Sequence, residues 1–236
     1  MRVHFVVHEP YEPPGAFERW GVSRGHDMTY SRVHAHEPLP MSAEGIDFLV
    51  VMGGPQSPST TVLECSHFDG DAECALIRTC AAAGRAVVGV CLGAQLIGKA
   101  FGAHHEPSPE KEIGKFPITL TSLGKANAKF ARFGDDLEVG HWHSDMPGLT
   151  AASKVIAASA GCPRQIIEYG ERIYGFQCHL EFTPETIELL LEANEGELAT
   201  LRGRRFVQSP AVLRSHDFRA MNEALFGFLD MLTESP

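Results

Sequence analysis

Residues 85–101 read RAVVGVCLGAQLIGKAF, and the rest of the chain is organised around this stretch. Its opening part, 86–90, is a short apolar run of the kind that forms a buried parallel strand. From Leu92 to Phe101 the apolar side chains recur at helical spacing. The stretch therefore predicts a strand that turns directly into a helix, with Cys91 at the junction.

Cys91 is flanked at two residues on either side by Gly89 and Gly93. A sharp strand-to-helix turn has no room for side chains at these positions, and glycine removes them. Such a turn lifts the intervening side chain above the sheet end, as in a nucleophile elbow. The helix N-terminus would also favour the thiolate. The alternative is that Cys91 is a small buried core residue, as free cysteines often are.

Composition argues against several classes of protein. The chain has 236 residues, 44% of them hydrophobic, and a net charge of −10, which disfavours nucleic acid and anionic membranes as partners. No apolar stretch reaches transmembrane length, and the first ten residues lack a signal peptide's hydrophobic region. The six cysteines show no zinc-binding or disulfide spacing, which predicts a cytoplasmic protein.

Predicted strands and helices alternate through the first half of the chain. This order predicts a doubly wound α/β fold, in which a mostly parallel sheet is flanked by helices. The predicted strands are 3–7, 27–33, 46–52 and 86–90, and the predicted helices are 14–24, 71–83 and 92–101.

The second half is less regular. Residues 102–114 are polar and predict an irregular insertion, whereas 165–177 predicts a small β-hairpin excursion around the turn at 169–171. A helix is predicted from Pro184 to about residue 193. We expect one domain over 1–195, with 196–236 as a helical tail packed on it.

Two further motifs supply the groups that a thiol nucleophile needs. His179 and Glu181 are two residues apart after a strand, so both lie on one face, and Glu181 can fix the imidazole tautomer. Gly53 and Gly54 end another strand, where exposed N–H groups can stabilise an oxyanion. A plain turn is the alternative for the two glycines.

Together, GVCLGAQ (89–95), MGGP (52–55) and GFQCHLE (175–181) resemble the class I, or triad-type, glutamine amidotransferases. The resemblance covers most of residues 46–190 and implies a flavodoxin-like fold. It extends to stand-alone members that are similar to the amidotransferase half of GMP synthase.

This resemblance implies roles for individual residues. Cys91 would attack the glutamine side-chain amide and form a γ-glutamyl thioester, His179 would move protons, and Glu181 would orient His179. The N–H groups of Leu92 and Gly54 would form the oxyanion hole. Contacts to the substrate would come from Gly53, Gln95, Ser144 and Asp145. The resemblance implies no cofactor.

The chain departs from the family pattern in three ways. Leu180 stands where the family has proline, and Cys178 where it has an aromatic residue. No synthetase domain follows the motifs, so we expect any synthetase partner on a separate chain. Three functions stay open: a glutaminase, a γ-glutamyl peptidase whose leaving-group side is shaped by 56–70 and 102–114, and a regulatory subunit that is inactive without a synthetase.

Two other stretches resemble binding sites. The stretch 93–99 imitates a phosphate-binding loop, but Ala100 stands where magnesium needs a hydroxyl. His141, His143 and Asp145 alternate along a strand and could bind a metal, but no further ligand is evident in the sequence. The pattern favours a substrate-lining loop or a polar surface turn, and we expect no metal. His104, His105 and the N-terminal histidines are expected to be ordinary loop or surface residues.

Overall fold

A computed structural model describes residues 1–234, and its backbone forms one sheet of nine strands. The strands are β1 (Arg2–Val7), β2 (Asp27–Arg32), β3 (Phe48–Val51), β4 (Ala86–Val90), β5 (Glu106–Leu120), β6 (Asp136–Met146), β7 (Lys154–Ser159), β8 (Ile166–Gly170) and β9 (Ile173–Phe176). The helices are α1 (Ala16–Ser23), α2 (Gly70–Ala82), α3 (Leu92–Ala100), α4 (Ser122–Ala126), α5 (Pro184–Ala193), α6 (Glu195–Thr200), α7 (Pro210–Ser215) and α8 (Arg219–Glu234). Short 3-10 turns lie at Val33–Ala35 and Ala128–Phe133.

The sheet has a parallel half and an antiparallel half, in the order β2-β1-β3-β4-β9-β8-β7-β5-β6. Strands β2, β1, β3, β4 and β9 pair in parallel, and the remaining pairings are antiparallel. This arrangement confirms the predicted doubly wound α/β class. The carboxyl ends of β3 and β4 lie side by side, which is where open α/β sheets bind ligands.

The antiparallel half is larger than the predicted hairpin excursion. Strands β8 and β9 form that hairpin, and β7, β5 and β6 continue the sheet beyond it. The prediction that 102–114 is irregular is wrong, because most of it lies in the 15-residue strand β5. The residues at the start of β5 are mostly exposed, so the segment carries no apolar alternation that would mark it as a strand.

Apolar cores cover both faces of the parallel half. Alternate residues of β3 point to opposite sides, with Phe48 and Val50 in one core and Leu49 and Val51 in the other. Helices α1 and α8 pack on the first face, and α2 and α3 pack on the second. Over residues 1–234, no helix combines the length and the apolar character that crossing a bilayer requires.

The segment after α5 is mainly helical and ends in α8, which packs against the first core through Met221, Leu225 and Phe228. The side chain of Asn222 on α8 also reaches the loop that follows β9. Residues 235 and 236 of the predicted tail lie outside the described residues. Treating residues 196–236 as a tail of the 1–195 domain stays a prediction.

Candidate functional site

Cys91 occupies a sharp turn between β4 and α3. Its φ is 51°, in the region that favours glycine, so the turn holds a side chain in a strained backbone conformation. A Cβ atom added to Gly89 would overlap the backbone of Gly93, and one added to Gly93 would overlap the carbonyl oxygen of Val51. Both flanking glycines are therefore required by close packing, as the sequence predicted.

His179 and Glu181 form a buried pair just after β9. The Nδ1–H of His179 donates to Oε1 of Glu181 over 2.6 Å, and both side chains are at least 96% buried. The imidazole stacks on the ring of Phe182, with ring centres 4.2 Å apart. Gly140 on β6 leaves the space that the Phe182 ring occupies, since a Cβ there would overlap it. These contacts fix both the tautomer and the orientation of the imidazole.

Charge around His179 favours its protonated form. Burial by itself lowers the pKa of His179, but the Glu181 carboxylate and the nearby Cys91 sulfur outweigh it and raise the pKa to about 10. Within residues 1–234, its Nε2 has no well-aligned hydrogen-bond partner, although Sγ of Cys91 is close enough to raise the pKa. The imidazole thus has one nitrogen anchored on Glu181 and the other available for a reacting group.

Two glutamines link the base of α3 to the thiol. Gln95 donates from Nε2 to Oε1 of Gln177 over 3.0 Å, and Gln177 donates from Nε2 to Sγ of Cys91 over 3.4 Å. The thiol in turn lies 3.7 Å from the carbonyl oxygen of Trp142 on β6. From the sequence, Gln95 is expected to contact the substrate and Gln177 has no predicted role, although Gln177 lies inside the motif that contains His179.

The glycine pair after β3 lies against Cys91. Among residues 1–234, the N–H groups of Gly54 and Leu92 have no hydrogen-bond acceptor, and both residues line the same cavity as the thiol. Gly53 does not line this cavity, and a Cβ atom added to it would meet Cβ of Cys91 and the Glu12 carboxylate. Two backbone donors without an acceptor in this range therefore line the cavity into which the thiol opens.

A buried ion pair between His8 and Glu73 contacts the backbone of the glycine loop at residues 53–54. His8 contacts the carbonyl oxygen of Gly53 through Nδ1 and Oε2 of Glu73 through Nε2, each over 2.9 Å. Burial lowers the pKa of His8, but the Glu73 carboxylate more than reverses this and raises it. The N-terminal histidines are expected to be loop or surface residues. His8 lies in the loop after β1 but is fully buried, and the prediction is wrong for His4, which lies within β1 and is 5% exposed.

The thiol opens into a cavity of about 320 Å³. Ser144 and Asp145, which follow each other on β6, lie on its wall together with Gln95. Its other side is formed by residues outside the quoted motifs: Tyr11, Glu12, Gln56, Lys111, Asn194 and Glu197. A larger depression of about 700 Å³ lies elsewhere, around Tyr174 and Asn127, and contains none of the predicted site residues.

Glu12 is a carboxyl group that the sequence did not single out. It lines the cavity, its carboxylate lies against Gly53, and it has no hydrogen-bond donor among the side chains of residues 1–234. Burial raises the pKa of Glu12 to about 7, despite the opposing effect of positive charge on His179 and His8. No local signal could have found it, because it comes from a proline-rich loop far from the motifs.

Cys178 does not face the cavity, although it lies next to His179 in sequence. It is fully buried in the core and donates to the carbonyl oxygen of Gln165 over 3.7 Å. Burial raises the pKa of its thiol well above the usual range. Cys178 is therefore an inert core thiol on the opposite side of the backbone from the reactive groups.

Comparison with known proteins identifies a matching family and relatives that cover nearly the whole chain. The sequence profile described as "Glutamine amidotransferase class-I" matches residues 16–195. A glutamine amidotransferase-like protein of Salmonella typhimurium, YfeJ, is 54% identical over 233 residues, which cover 99% of this chain and 98% of the relative.

Other relatives are a solved structure and part of a larger enzyme. The crystal structure of SMU.1228c superposes with a TM-score of 0.97 and 49% identity over 99% of this chain and 100% of that one. The GMP synthase [glutamine-hydrolyzing] of Macrococcus caseolyticus is 33% identical over 159 residues, 64% of this chain but 28% of the synthase. This chain therefore belongs to the class I glutamine amidotransferase family.

Proposed function

We propose that the chain hydrolyses γ-glutamyl amide bonds through a thioester on Cys91, with glutamine as the first substrate to test. The observation that carries this proposal is the strained Cys91 turn beside the buried His179–Glu181 pair, opening into a cavity with unengaged N–H groups. These are the parts that acyl transfer to a thiol requires.

The reaction follows from these positions. The thiolate of Cys91 attacks the amide carbon, and the N–H groups of Gly54 and Leu92 stabilise the oxyanion that forms. Because its pKa is raised, His179 carries the proton that the leaving nitrogen needs, and it passes this proton from Nε2 as the C–N bond breaks. Water then attacks the thioester and gives a proton to His179, and the C–S bond breaks to release the γ-carboxyl product and the Cys91 thiolate, which restores the starting pair.

Substrate binding is assigned to the cavity wall. We assign recognition of the α-amino and α-carboxylate groups of a γ-glutamyl substrate to Ser144, Asp145 and Gln95, which line the cavity. Gly53 contributes through the shape of the loop next to Cys91. Gln177 keeps the thiol in place by donating to Sγ.

A second candidate substrate class is a γ-glutamyl peptide. The cavity that contains the thiol is also lined by Lys111, Asn194 and Glu197, which are not among the proposed reacting groups. Lys111 and Glu197 form an ion pair with each other. These residues could contact a leaving group larger than ammonia, such as the amine of a peptide. Cleavage of γ-glutamyl peptides is therefore a specific alternative to glutamine hydrolysis.

The decisive experiment compares glutamine with a set of γ-glutamyl dipeptides as substrates of the purified chain. We expect Cys91→Ala to abolish turnover and to leave the circular dichroism spectrum unchanged. Cys178→Ala is the matched control, because it removes a buried thiol that does not face the cavity, and it should retain activity. Normal activity of Cys91→Ala would disprove the thioester mechanism.

The substrate profile then separates the remaining possibilities. Ammonia release from glutamine supports a glutaminase that supplies a synthetase on another chain, and dipeptide cleavage supports a peptidase. If neither reacts, labelling of Cys91 by a glutamine-like electrophile, followed by activity on adding a synthetase, would support a regulatory subunit. All six cysteines are free, which suits the reducing cytoplasm that we propose as its location.

A further inference from the structure

A second polar cluster lies in the antiparallel half of the sheet. It contains Glu112 from β5, His141 and His143 from β6, and Gln165 just before β8. Glu112, His141 and Gln165 are fully buried, and His143 is 5% exposed. Ionisable side chains are rarely buried to this extent unless their charge is compensated.

The hydrogen bonds available to Gln165 do not account for its surroundings. Its Nε2 lies 2.7 Å from Oε2 of Glu112 and 3.2 Å from both Nδ1 of His141 and Nε2 of His143. It also lies 3.0 Å from Oγ of Ser159. An amide nitrogen has only two hydrogens for these four neighbours. At the same time, Oε1 of Gln165 is buried without a partner among residues 1–234.

Glu112 likewise lacks a counter-charge. In the described part of the chain its ionic contacts are the two imidazoles, at 3.3 Å and 3.6 Å, and no lysine or arginine pairs with it. Nε2 of His141 lies 3.2 Å from the carbonyl oxygen of Phe116, so the neutral ring carries its proton on Nε2 and donates it to this oxygen. Nδ1 then carries a lone pair, which faces Glu112 and Gln165. The lone pair and the carboxylate oxygen have only the Gln165 amide between them, and a cation in that place would satisfy both and supply the positive charge that Glu112 lacks.

The donor atoms have the spacing of a tetrahedral site. Five of the six edges between Oε2 of Glu112, Nδ1 of His141, Nε2 of His143 and the Gln165 amide measure 2.7, 3.2, 3.2, 3.3 and 3.6 Å. Four ligands at about 2.0–2.1 Å from a zinc ion are separated from one another by about 3.3 Å. The observed edges are close to this value.

We propose that Glu112, His141, His143 and the side-chain oxygen of Gln165 form a structural zinc site. Turning the Gln165 amide exchanges its nitrogen and oxygen, which brings the unpartnered Oε1 to the fourth ligand position. Two imidazoles and two oxygens in a closed tetrahedron suit Zn²⁺, and the ion supplies the missing positive charge. Ser159 Oγ, 2.8 Å from Oε2 and 2.9 Å from Oε1 of Glu112, orients the carboxylate.

Such an ion would join two strands at the wall of the candidate active site. Glu112 pairs with His143 in the register of β5 and β6, next to the irregularity between residues 107 and 112. Ser144 and Asp145 follow His143 directly. The site would therefore hold the part of β6 that borders the cavity in a fixed position on β5. It replaces the sequence-based expectation of no metal, and it uses Glu112 instead of Asp145.

The test measures metal content and stability, without reference to turnover. The full chain, without an affinity tag, is stripped with a chelator, incubated with Zn²⁺ and desalted. We expect one retained zinc ion per chain and a higher melting temperature than that of the stripped protein. A stripped wild type that retains no zinc and shows no shift would overturn the proposal and leave a hydrogen-bonded cluster.

Variants locate the ion. Glu112→Gln and His143→Gln should lose both the bound zinc and the stabilisation, whereas His104→Gln, which removes an exposed histidine outside the cluster, should lose neither. Retention of zinc by both cluster variants would place it elsewhere and exclude this site. If a cluster variant fails to fold, the wild-type measurement still decides whether zinc binds.

Cobalt separates this site from the cysteines. Co²⁺ substituted into the stripped chain should give the visible spectrum of a tetrahedral ion without a thiolate-to-metal charge-transfer band. Cys91→Ala should bind the same amount of metal as the wild type. A thiolate band, or loss of binding in Cys91→Ala, would assign the metal to a cysteine and contradict the proposal.

Discussion

At the scale of single residues, Glu12 is a carboxyl group that the fold holds in an unfavourable environment. Its pKa rises from 4.5 in a solvated carboxyl to about 7 in the folded chain, mainly through burial. The folded state therefore holds this proton more tightly than the unfolded state does. Between these two pH values, ionisation of Glu12 makes folding less favourable as the pH rises.

We expect Glu12→Gln to be more stable than the wild type above pH 7 and equally stable below the pKa of a solvated carboxyl. The difference should be about 1–3 kcal/mol, because the full shift corresponds to about 3 kcal/mol and the cavity screens part of it. Chemical unfolding on both sides of this pH window measures it. The exposed carboxyl variant Glu44→Gln is the control, and a difference independent of pH would contradict the argument.

Glycines provide a second test at this scale. Gly93→Ala should prevent the turn at Cys91, because the added Cβ overlaps the carbonyl oxygen of Val51. We expect a loss of more than about 3 kcal/mol, large for a substitution of this size. Gly196→Ala is the matched control, since the Cβ meets no atom within 4 Å and alanine favours helix α6, with a gain of up to about 1 kcal/mol. Thermal melts of both variants measure these effects.

The residues that were predictable share a local signal. Gly89, Cys91 and Gly93 are defined by their spacing along one turn, and the His179–Glu181 contact by a separation of two residues on extended backbone. The contacts that escaped prediction join distant parts of the chain, as when His8 contacts Gly53, 45 residues later. The sequence near His8 or Glu12 contains no pattern that indicates which distant residues these side chains contact.

At the scale of elements, the glycine loop after β3 depends on β1 and α2. His8 directly follows β1, and Glu73 lies in the first turn of α2. The two side chains form a buried ion pair, and the other ring nitrogen of His8 contacts the carbonyl oxygen of Gly53. Because neither partner contacts water, each one stabilises the charge of the other. Removing one partner leaves a buried charge uncompensated.

A double-mutant cycle tests this coupling. We expect His8→Ala to cost about 3–5 kcal/mol, because it leaves Glu73 buried without its partner. Adding Glu73→Gln should recover part of that loss, with a coupling energy of about 1–3 kcal/mol from chemical unfolding. The exposed pair Arg32–Glu37 is the control, with an expected coupling below about 1 kcal/mol. Simple additivity at His8 and Glu73 would show that the pair does not act as a unit.

Elements with a full apolar pattern were predicted to within about two residues at each end, as for β1, β4, α2 and α3. Because one or both faces of these elements are buried, their apolar residues recur at regular spacing in the sequence. Strand β5 shows no such spacing, since its first half is mostly exposed and pairs with β6 only at residues 106 and 107 before pairing resumes at Glu112. An exposed strand segment of this kind does not require apolar side chains at alternate positions, so the sequence gives no signal for it.

At the scale of the whole molecule, the first and last helices together hold Glu181. The carbonyl oxygen of Glu181 accepts from the N–H of Ala16 over 2.9 Å, at the start of α1. Asn222 on α8 donates to the carbonyl oxygens on either side of it, those of Leu180 at 2.7 Å and Phe182 at 3.1 Å. The carboxylate that orients His179 is therefore held by both ends of the chain.

We expect Asn222→Leu to lower both stability and turnover. Two buried carbonyl oxygens lose their donor, at a cost of about 2 kcal/mol, and a misplaced Glu181 should reduce kcat about tenfold or more. Asn127→Leu removes an asparagine that contacts Glu168 and Tyr174 far from the cavity, so it should affect stability alone. Thermal melts, and kcat measured well below the melting temperature, separate the two effects. Unchanged kcat in Asn222→Leu would make α8 a purely structural element.

The positive φ of Cys91 sets activity against stability in this chain. Any side chain at that position costs about 1–2 kcal/mol, and only glycine avoids this cost. Cys91→Gly should therefore melt at a higher temperature than Cys91→Ala, although both lack the thiol. Engineering that selects for thermal stability alone would tend to remove the proposed nucleophile, so stabilised variants of this protein have to be screened for turnover as well.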